Sequence, residues 1–242
     1  MTPQVPAESD RAIDVLQYSP GRSGSTMLYH VLQHLGTAVQ KTHECLQTDA
    51  KVVITYRHPC DVFCSFCRIS QDLDGDGDLE RAMHRWWNPF LQVTIKRGIR
   101  YVRKGYGRMQ KYLDSDMEMC FLRYERFKDD YDYLFDSLEP FLQIPISREM
   151  RDRVREATSF EKNKSAAAAY GSFKDFDTAT LLHGKHLGSG AVDQWRSVCP
   201  GWMQRLVERQ LRDEVAFYQN LADRFEASTV ATSTDANRER AA

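Results

Sequence analysis

The sequence lacks a long hydrophobic run. No apolar stretch approaches the roughly 20 residues that a helix needs to cross a bilayer, and the opening segment, MTPQVPAESD, has no apolar core of the kind that marks a secretory signal. We therefore expect a cytoplasmic protein with no membrane partner. Cysteine is also scarce, with six in 242 residues. That number is too small for a disulfide scaffold and predicts reduced thiols.

An excess of one charge is absent as well. The 33 lysines and arginines nearly balance the 34 acidic residues, which leaves a formal net charge of −1. A chain without a broad positive field is a poor ligand for nucleic acid, so we expect no nucleic-acid partner. The remaining composition, 42% hydrophobic and 28% charged, is that of a globular protein. At this length one domain can bury a core without metal or disulfide support.

Two strand and helix units follow one another in the first 70 residues. Residues 13–19 predict a short buried strand, and residues 25–35 carry apolar side chains at helical spacing. The β-branched run at residues 52–56 predicts a second strand, after which His58 and Pro59 open another helical stretch. This repetition predicts an α/β fold with a central parallel sheet flanked by helices, and ligands beyond the carboxyl ends of the strands.

The rest of the chain is predicted more coarsely. Residues 79–112 have a helical pattern that Gly105 and Gly107 are expected to interrupt, and residues 119–124 predict a third strand. Further predictions are helices at residues 131–142, 147–157 and 202–225 and an irregular region at residues 162–198. We expect one domain over residues 1–225 and, because apolar residues are nearly absent from it, a disordered tail over residues 226–242.

A glycine-rich turn, PGRSGST at residues 20–26, separates the first strand from the first helix. Small residues at such a turn let backbone amides surround a phosphate, and the helix N-terminus adds partial positive charge. The nucleotide-triphosphatase loop G-x-x-x-x-G-K-[ST] is absent, because Ser25 follows the second glycine and Arg22 precedes it. This weakens an ATPase interpretation. The alternative is a simple strand-to-helix turn with Ser25 as the N-cap.

Two further motifs follow in order: KTH at residues 41–43 and RHPCDVFCS at residues 57–65. With the glycine turn they resemble the sulfotransferases that use 3′-phosphoadenosine 5′-phosphosulfate (PAPS), over roughly residues 13–221. The resemblance implies a P-loop-like three-layer α/β fold. It also implies transfer of a sulfuryl group from PAPS to a hydroxyl, or alternatively an amine, of a small-molecule acceptor, with PAPS as co-substrate and no metal.

The resemblance assigns nucleotide-binding roles. The 5′-phosphosulfate would lie against Arg22, Ser23, Gly24, Ser25 and Thr26. Arg57 and Ser65, eight residues apart, would bind the 3′-phosphate, for which an arginine offers two parallel donors. Tyr124 would approach the adenine, and Lys185 and His186 belong to a variant of the late nucleotide loop. The alternative is that Arg57 pairs with an acid and Ser65 is merely small.

The resemblance also assigns catalytic roles. His43 matches the general base, since an ordinary histidine pKa of about 6.5 suits proton removal near neutral pH. Lys41 matches a residue that touches the transferring group, and Arg22 would stabilise charge on the departing phosphate. The alternative for His43 is an ordinary surface histidine. The family's dimerisation segment has no clear counterpart, so a monomer is expected.

Three signals favour other functions. Cys60, Cys64 and Cys67 resemble the iron–sulfur loop of radical S-adenosylmethionine enzymes, but their spacing in an apolar helical run favours core packing. The acidic run at residues 72–80 resembles half of a calcium loop, but Met83 stands where a glutamate is needed. Seven basic residues and no acid between Lys96 and Lys111 fit either a non-catalytic module that binds an anionic partner or a solvated helix face.

Overall fold

Four parallel strands form the centre of the computed structural model, which describes residues 14–73, 76–85, 89–178, 180–184 and 189–239. The strands are β1 (Val15–Tyr18), β2 (Val39–Thr42), β3 (Lys51–Tyr56) and β4 (Met119–Arg123), in the spatial order β2-β1-β3-β4. The chain therefore leaves β1 towards one side of the sheet for β2 and then crosses to the other side for β3. This reversal opens a crevice between the carboxyl ends of β1 and β3, where α/β proteins bind ligands.

Helices cover both faces of the sheet. Their bounds are α1 (Ser25–His34), α2 (Pro59–Ser70), α3 (Asp76–Met83), α4 (Pro89–Leu113), α5 (Tyr124–Phe127), α6 (Tyr131–Leu142), α7 (Arg148–Thr158), α8 (Phe160–Ala167), α9 (Gln194–Val198), α10 (Gly201–Gln210) and α11 (Arg212–Glu239). Several begin where a polar side chain accepts a backbone amide, as Asp130 does for α6 and Ser147 for α7.

The strands send alternate side chains into two cores. Val52, Ile54 and Tyr56 of β3 pack with residues of α2 and α4 on one face, whereas Val53 packs with residues of α1 and α6 on the other. Helix, sheet and helix thus form three layers, which confirms the α/β fold predicted from the sequence. Strand β2 was not predicted, because it is a short edge strand in which Gln40, Lys41 and Thr42 give no apolar pattern.

The C-terminal half contains more helix than its composition predicts. Helices α8 and α9 lie within or across the ends of the region predicted as irregular, although the segment between them has little regular structure. Helix α11 continues to Glu239, so the backbone of residues 226–239 is helical where a disordered tail is predicted. That stretch has no proline or glycine, so nothing in it interrupts a helix whose earlier turns are held by buried Leu221.

The predicted interruption of the long helix at Gly105 and Gly107 is wrong, because α4 is continuous through both. Gly105 allows α4 to pack closely against Pro20. A Cβ at this position would lie 2.7 to 3.0 Å from three atoms of Pro20, two of which belong to the backbone. The Tyr18 hydroxyl also donates to the Gly105 carbonyl at 2.7 Å. Helix α4 therefore lies directly against the turn that follows β1.

We expect alanine substitutions at Gly105 and Gly107 of α4 to have opposite effects on the free energy of unfolding. Gly105→Ala should lower the free energy of unfolding by about 1–3 kcal/mol, because the added methyl group clashes with Pro20. Gly107→Ala, with nothing within 4 Å of its Cβ, should raise it by about 0.5–1 kcal/mol through helix propensity. Urea unfolding of both variants measures the difference; equal stabilisation would contradict the packing described.

Candidate active site

A cavity of about 220 Å³ lies where β1, β3 and β4 end. Arg22 follows β1, Arg57 follows β3 and Tyr124 follows β4, and all three side chains line it. The carboxyl ends of neighbouring parallel strands meet at one edge of the sheet, which brings these distant positions together. Seven residues with predicted nucleotide-binding roles are in the lining: Arg22, Gly24, Ser25, Thr26, Arg57, Ser65 and Tyr124.

The turn between β1 and α1 has an unusual backbone. Gly21, Arg22 and Gly24 have φ values of 82°, 59° and 79°, in the left-handed region that favours glycine. Gly24 is also the N-cap of α1, in place of the predicted Ser25, and no side chain in the described parts of the chain caps this helix. The first amides of α1 are therefore left for an anion, which the helix N-terminus favours.

Ser23 differs from the other residues of the turn. Its side chain is fully buried, 3.0 Å from the Thr55 hydroxyl and donating to the Thr55 carbonyl at 3.3 Å. A second bond, from Gln17 Nε2 to the Ser25 carbonyl at 2.7 Å, fixes the turn to β1. The Ser23 hydroxyl thus joins the turn to β3 and does not line the cavity, whereas the hydroxyl-bearing residues Ser25 and Thr26 do.

The two segments with predicted phosphate-binding roles touch each other. Arg22 Nε donates to the Ser65 hydroxyl at 3.1 Å, and Arg57 Nη1 lies 3.5 Å from the Arg22 carbonyl. The Arg57 guanidinium also lies 4.5 Å from the ring centroid of Tyr124, a contact in which a cation faces the ring. Arginines from two strand ends therefore line one cavity.

Asp61 holds Arg57 and a distant loop in place. Its Oδ2 lies 3.8 Å from Arg57 Nη2, and its carboxylate accepts the amides of Asp193 and Trp195 at 2.9 and 3.1 Å. Arg57 Nη2 in turn donates to the Ala191 carbonyl at 2.8 Å. The interpretation of Arg57 as paired with an acid is thus partly correct. The pairing coexists with a place in the cavity wall and connects it to residues 189–195.

Positive charge is concentrated here. Burial, reinforced by Arg68 and Arg57, lowers the pKa of Arg22 to about 9. Burial and Arg22 lower the pKa of Lys41 to about 8, and its ammonium donates to the Thr26 hydroxyl at 2.9 Å. Cations whose charge is disfavoured by burial and by one another gain most when an anion binds.

His43 directly follows β2 and lies beside Ser19, which directly follows the neighbouring β1. It is not among the residues that line the cavity. Its Nδ1 is 3.0 Å from the Ser19 carbonyl and 3.1 Å from the Ser19 hydroxyl. A carbonyl only accepts, so Nδ1 carries the proton and the lone pair of the neutral ring is on Nε2. The residue is exposed, as the surface-histidine alternative predicts. Displacement of water by the atoms around the ring, with smaller contributions from Lys41, Arg22 and Arg108, lowers the pKa of His43. The ring is therefore a neutral base at pH 7.

Several cavity residues were missed by sequence analysis. Arg68 is the one with a usable signal, since it lies one helical turn after Ser65 on the same face of α2. Others come from distant parts of the chain and were assigned no role: Lys128, Tyr131, Thr158, Asn163, Leu182 and Gln194. Lys185 and His186, predicted to contact the nucleotide, lie outside the described residues.

Two of the three competing signals, the cysteines and the acidic run, correspond to ordinary structure. Cys60, Cys64 and Cys67 are buried in the core on α2, as core packing predicts, and burial raises the pKa of each thiol. Across the described ranges no three histidine, cysteine or acidic side chains are grouped to hold a metal ion. Asp76 of the acidic run begins α3. No described helix is both long enough and apolar enough to span a membrane.

Comparisons with known proteins agree with this geometry. A family model described as a sulfotransferase domain matches residues 41–207, a range that includes the KTH and RHPCDVFCS motifs. A crystal structure of mouse sulfotransferase SULT7A1 complexed with PAP is similar in fold, with a TM-score of 0.60 and 15% sequence identity. The match covers 87% of this chain and 88% of that chain. No curated protein matches the sequence.

We expect Asp61→Asn to loosen the loop at residues 189–195. An asparagine oxygen can accept an amide, but its NH2 group would face Arg57 or a second backbone amide. The free energy of unfolding should fall by about 1–3 kcal/mol, and hydrogen exchange at Asp193 and Trp195 should accelerate. The exposed Asp116→Asn is the control and should change neither. Unaltered exchange in the Asp61 variant would contradict the contact.

Proposed function

The chain belongs to the sulfotransferase domain family, and from that premise we propose that it moves a sulfuryl group from PAPS to a hydroxyl of a small-molecule acceptor. The observation that carries the proposal is the pairing of Arg22 and Arg57 in one cavity, each placed there by a different strand end. Two anion-binding arginines at the switch point of a parallel sheet suit a nucleotide with phosphate at both ends of its ribose.

The cavity suits the nucleotide in three respects. The N-terminus of α1 has free amides for the 5′-phosphate, next to Ser25 and Thr26. Arg57 Nε is buried with no hydrogen-bond partner among the described residues, although a guanidinium nitrogen ordinarily has one. A 3′-phosphate oxygen would supply that partner. Tyr124 lines the same cavity and has an aromatic face for the adenine.

The chemistry then divides between a base and two cations. PAPS supplies the sulfuryl group on a phosphate oxygen. His43 Nε2 takes the proton of the acceptor hydroxyl, whose oxygen forms the new bond to sulfur as the bond to the phosphate oxygen breaks. Arg22 and Lys41, both near the N-terminus of α1, stabilise the negative charge that collects on the phosphate. The products are a sulfate ester and 3′-phosphoadenosine 5′-phosphate (PAP), and the proton stays on His43 until solvent takes it.

We also propose that the enzyme is a cytoplasmic monomer. Its composition favours the cytoplasm, and the absence of a counterpart to the dimerisation segment favours a monomer. Only about twenty residues separate Arg22 from His43, so the segment that would cover the acceptor is short. A short cover favours an acceptor site that is open to solvent. We infer a hydroxyl as acceptor in preference to an amine, because a hydroxyl is a weak nucleophile that needs a base such as His43 to take its proton, whereas a neutral amine attacks without one.

The transfer itself is tested with PAPS and a panel of phenols, alcohols, sugars and amines, with mass spectrometry to detect addition of a sulfonate group. The wild-type protein should modify at least one hydroxyl compound. His43→Ala should lose turnover by a factor of about 10²–10⁴, the usual contribution of a general base, with unchanged affinity for PAP. His34→Ala, at the exposed end of α1, is the control and should behave as wild type.

The same assay has a pH signature. The base works in its neutral form, and the pKa of His43 is lowered from 6.5. As the pH falls, turnover should therefore decline with a midpoint below the ordinary histidine value of about 6.5. A fall that begins well above pH 7, or an unchanged kcat in His43→Ala, would remove His43 from the mechanism.

Arg57 is tested by nucleotide binding. Arg57→Ala should weaken PAP binding by about ten- to a hundredfold, because a charged hydrogen bond to phosphate is lost. Binding of adenosine 5′-phosphate, which has no 3′-phosphate, should change much less. Isothermal titration calorimetry with both nucleotides gives the two affinities. An unaltered PAP affinity would refute the assignment of Arg57 to the 3′-phosphate.

A further inference from the structure

Arg68 is a buried arginine in the cavity wall that the transfer mechanism does not use. It lies one turn after Ser65 on α2, and only 2% of its surface is exposed to solvent. Arginine is almost never fully buried unless its charge is compensated. Like Arg57 and Ser65, it lines the cavity.

Arg68 is close enough to the other two arginines for electrostatic interaction with each. It lowers the pKa of Arg22, and Arg57 lowers the pKa of Arg68, although burial is the main cause of both shifts. Asp76, at the start of α3, acts in the opposite direction and favours the charged form of Arg68. Three guanidinium groups thus share one enclosed space, an arrangement that a multiply charged anion would stabilise.

We propose that Arg68 binds the 3′-phosphate of the nucleotide together with Arg57 and Ser65. This inference rests on the proposed function. Arg57 follows β3, while Ser65 and Arg68 come from successive turns of α2, so two elements bring the three residues to one cavity. A phosphate dianion has three oxygen acceptors and can satisfy two guanidinium groups and a hydroxyl at once.

The competing role for Arg68 is structural. Paired with Asp76, it would hold the connection between α2 and α3 and would touch no ligand. The two roles differ in what they predict for Asp76→Asn, which removes the acid and leaves the cavity wall intact, since Asp76 is not among the lining residues. They also differ for adenosine 5′-phosphate, because a structural role affects every nucleotide alike.

Calorimetry on the full chain with PAP and adenosine 5′-phosphate separates these roles. Arg68→Gln should weaken PAP about ten- to a hundredfold and adenosine 5′-phosphate by less than about twofold. Arg68→Lys should recover part of the PAP affinity, because it restores the charge without the paired donors. Asp76→Asn should leave the ratio of the two affinities at the wild-type value. Circular dichroism and thermal unfolding establish that each variant is folded.

The outcomes are distinct. Equal weakening of both nucleotides in the Arg68 variants, or a shift of the ratio in Asp76→Asn that matches theirs, overturns the proposal in favour of the structural role. If Arg68→Gln does not fold, Arg68→Lys alone decides: a loss confined to PAP supports the proposal, and a loss shared by both nucleotides overturns it. A wild-type protein that binds PAP no better than adenosine 5′-phosphate overturns instead the nucleotide assignment on which the inference rests.

Discussion

The contact between Arg57 and Asp61 is the constraint on which the cavity depends. Arg57 needs a counter-charge because it is buried at the end of β3, and Asp61 needs donors because it is buried in the first turns of α2. Asp61 satisfies its remaining oxygen lone pairs with the amides of Asp193 and Trp195. A strand end, a helix and a loop more than 130 residues away in sequence are thereby held as one wall.

Positive charge inside the protein is only partly compensated. Asp61 faces Arg57 at 3.8 Å, whereas burial lowers the pKa values of Arg22 and Lys41. Charges kept in an enclosed space interact more strongly with a ligand than they would in water. They are also already oriented when it arrives, so little rearrangement opposes their effect on a reacting phosphate. Placement by the sheet and shielding from solvent thus act together.

Much of the fold was predictable because its signals are local. The β-branched run before Arg57 and the apolar spacing in α1 and α6 gave those elements nearly at their observed bounds. The errors have a common cause, which is contact between distant segments. Strand β2 has a polar sequence and exists because β1 offers it backbone partners. Gly105 lies inside helix α4 and is a glycine because Pro20 occupies the space a side chain would need. Helix and strand propensities alone predict neither of these features.

The sequence by itself determined which chemical groups the protein has and their order: a glycine turn with Arg22, then Lys41 and His43, then Arg57 and Ser65. The spacing of a motif follows local backbone geometry, so it can be recognised in the sequence alone. Only the tertiary structure decided that the Ser23 hydroxyl joins β3, that Asp61 fixes a remote loop, and that Arg68 shares the cavity. Burial and contact across the fold depend on the packing of every layer, and no segment of the chain contains that information alone.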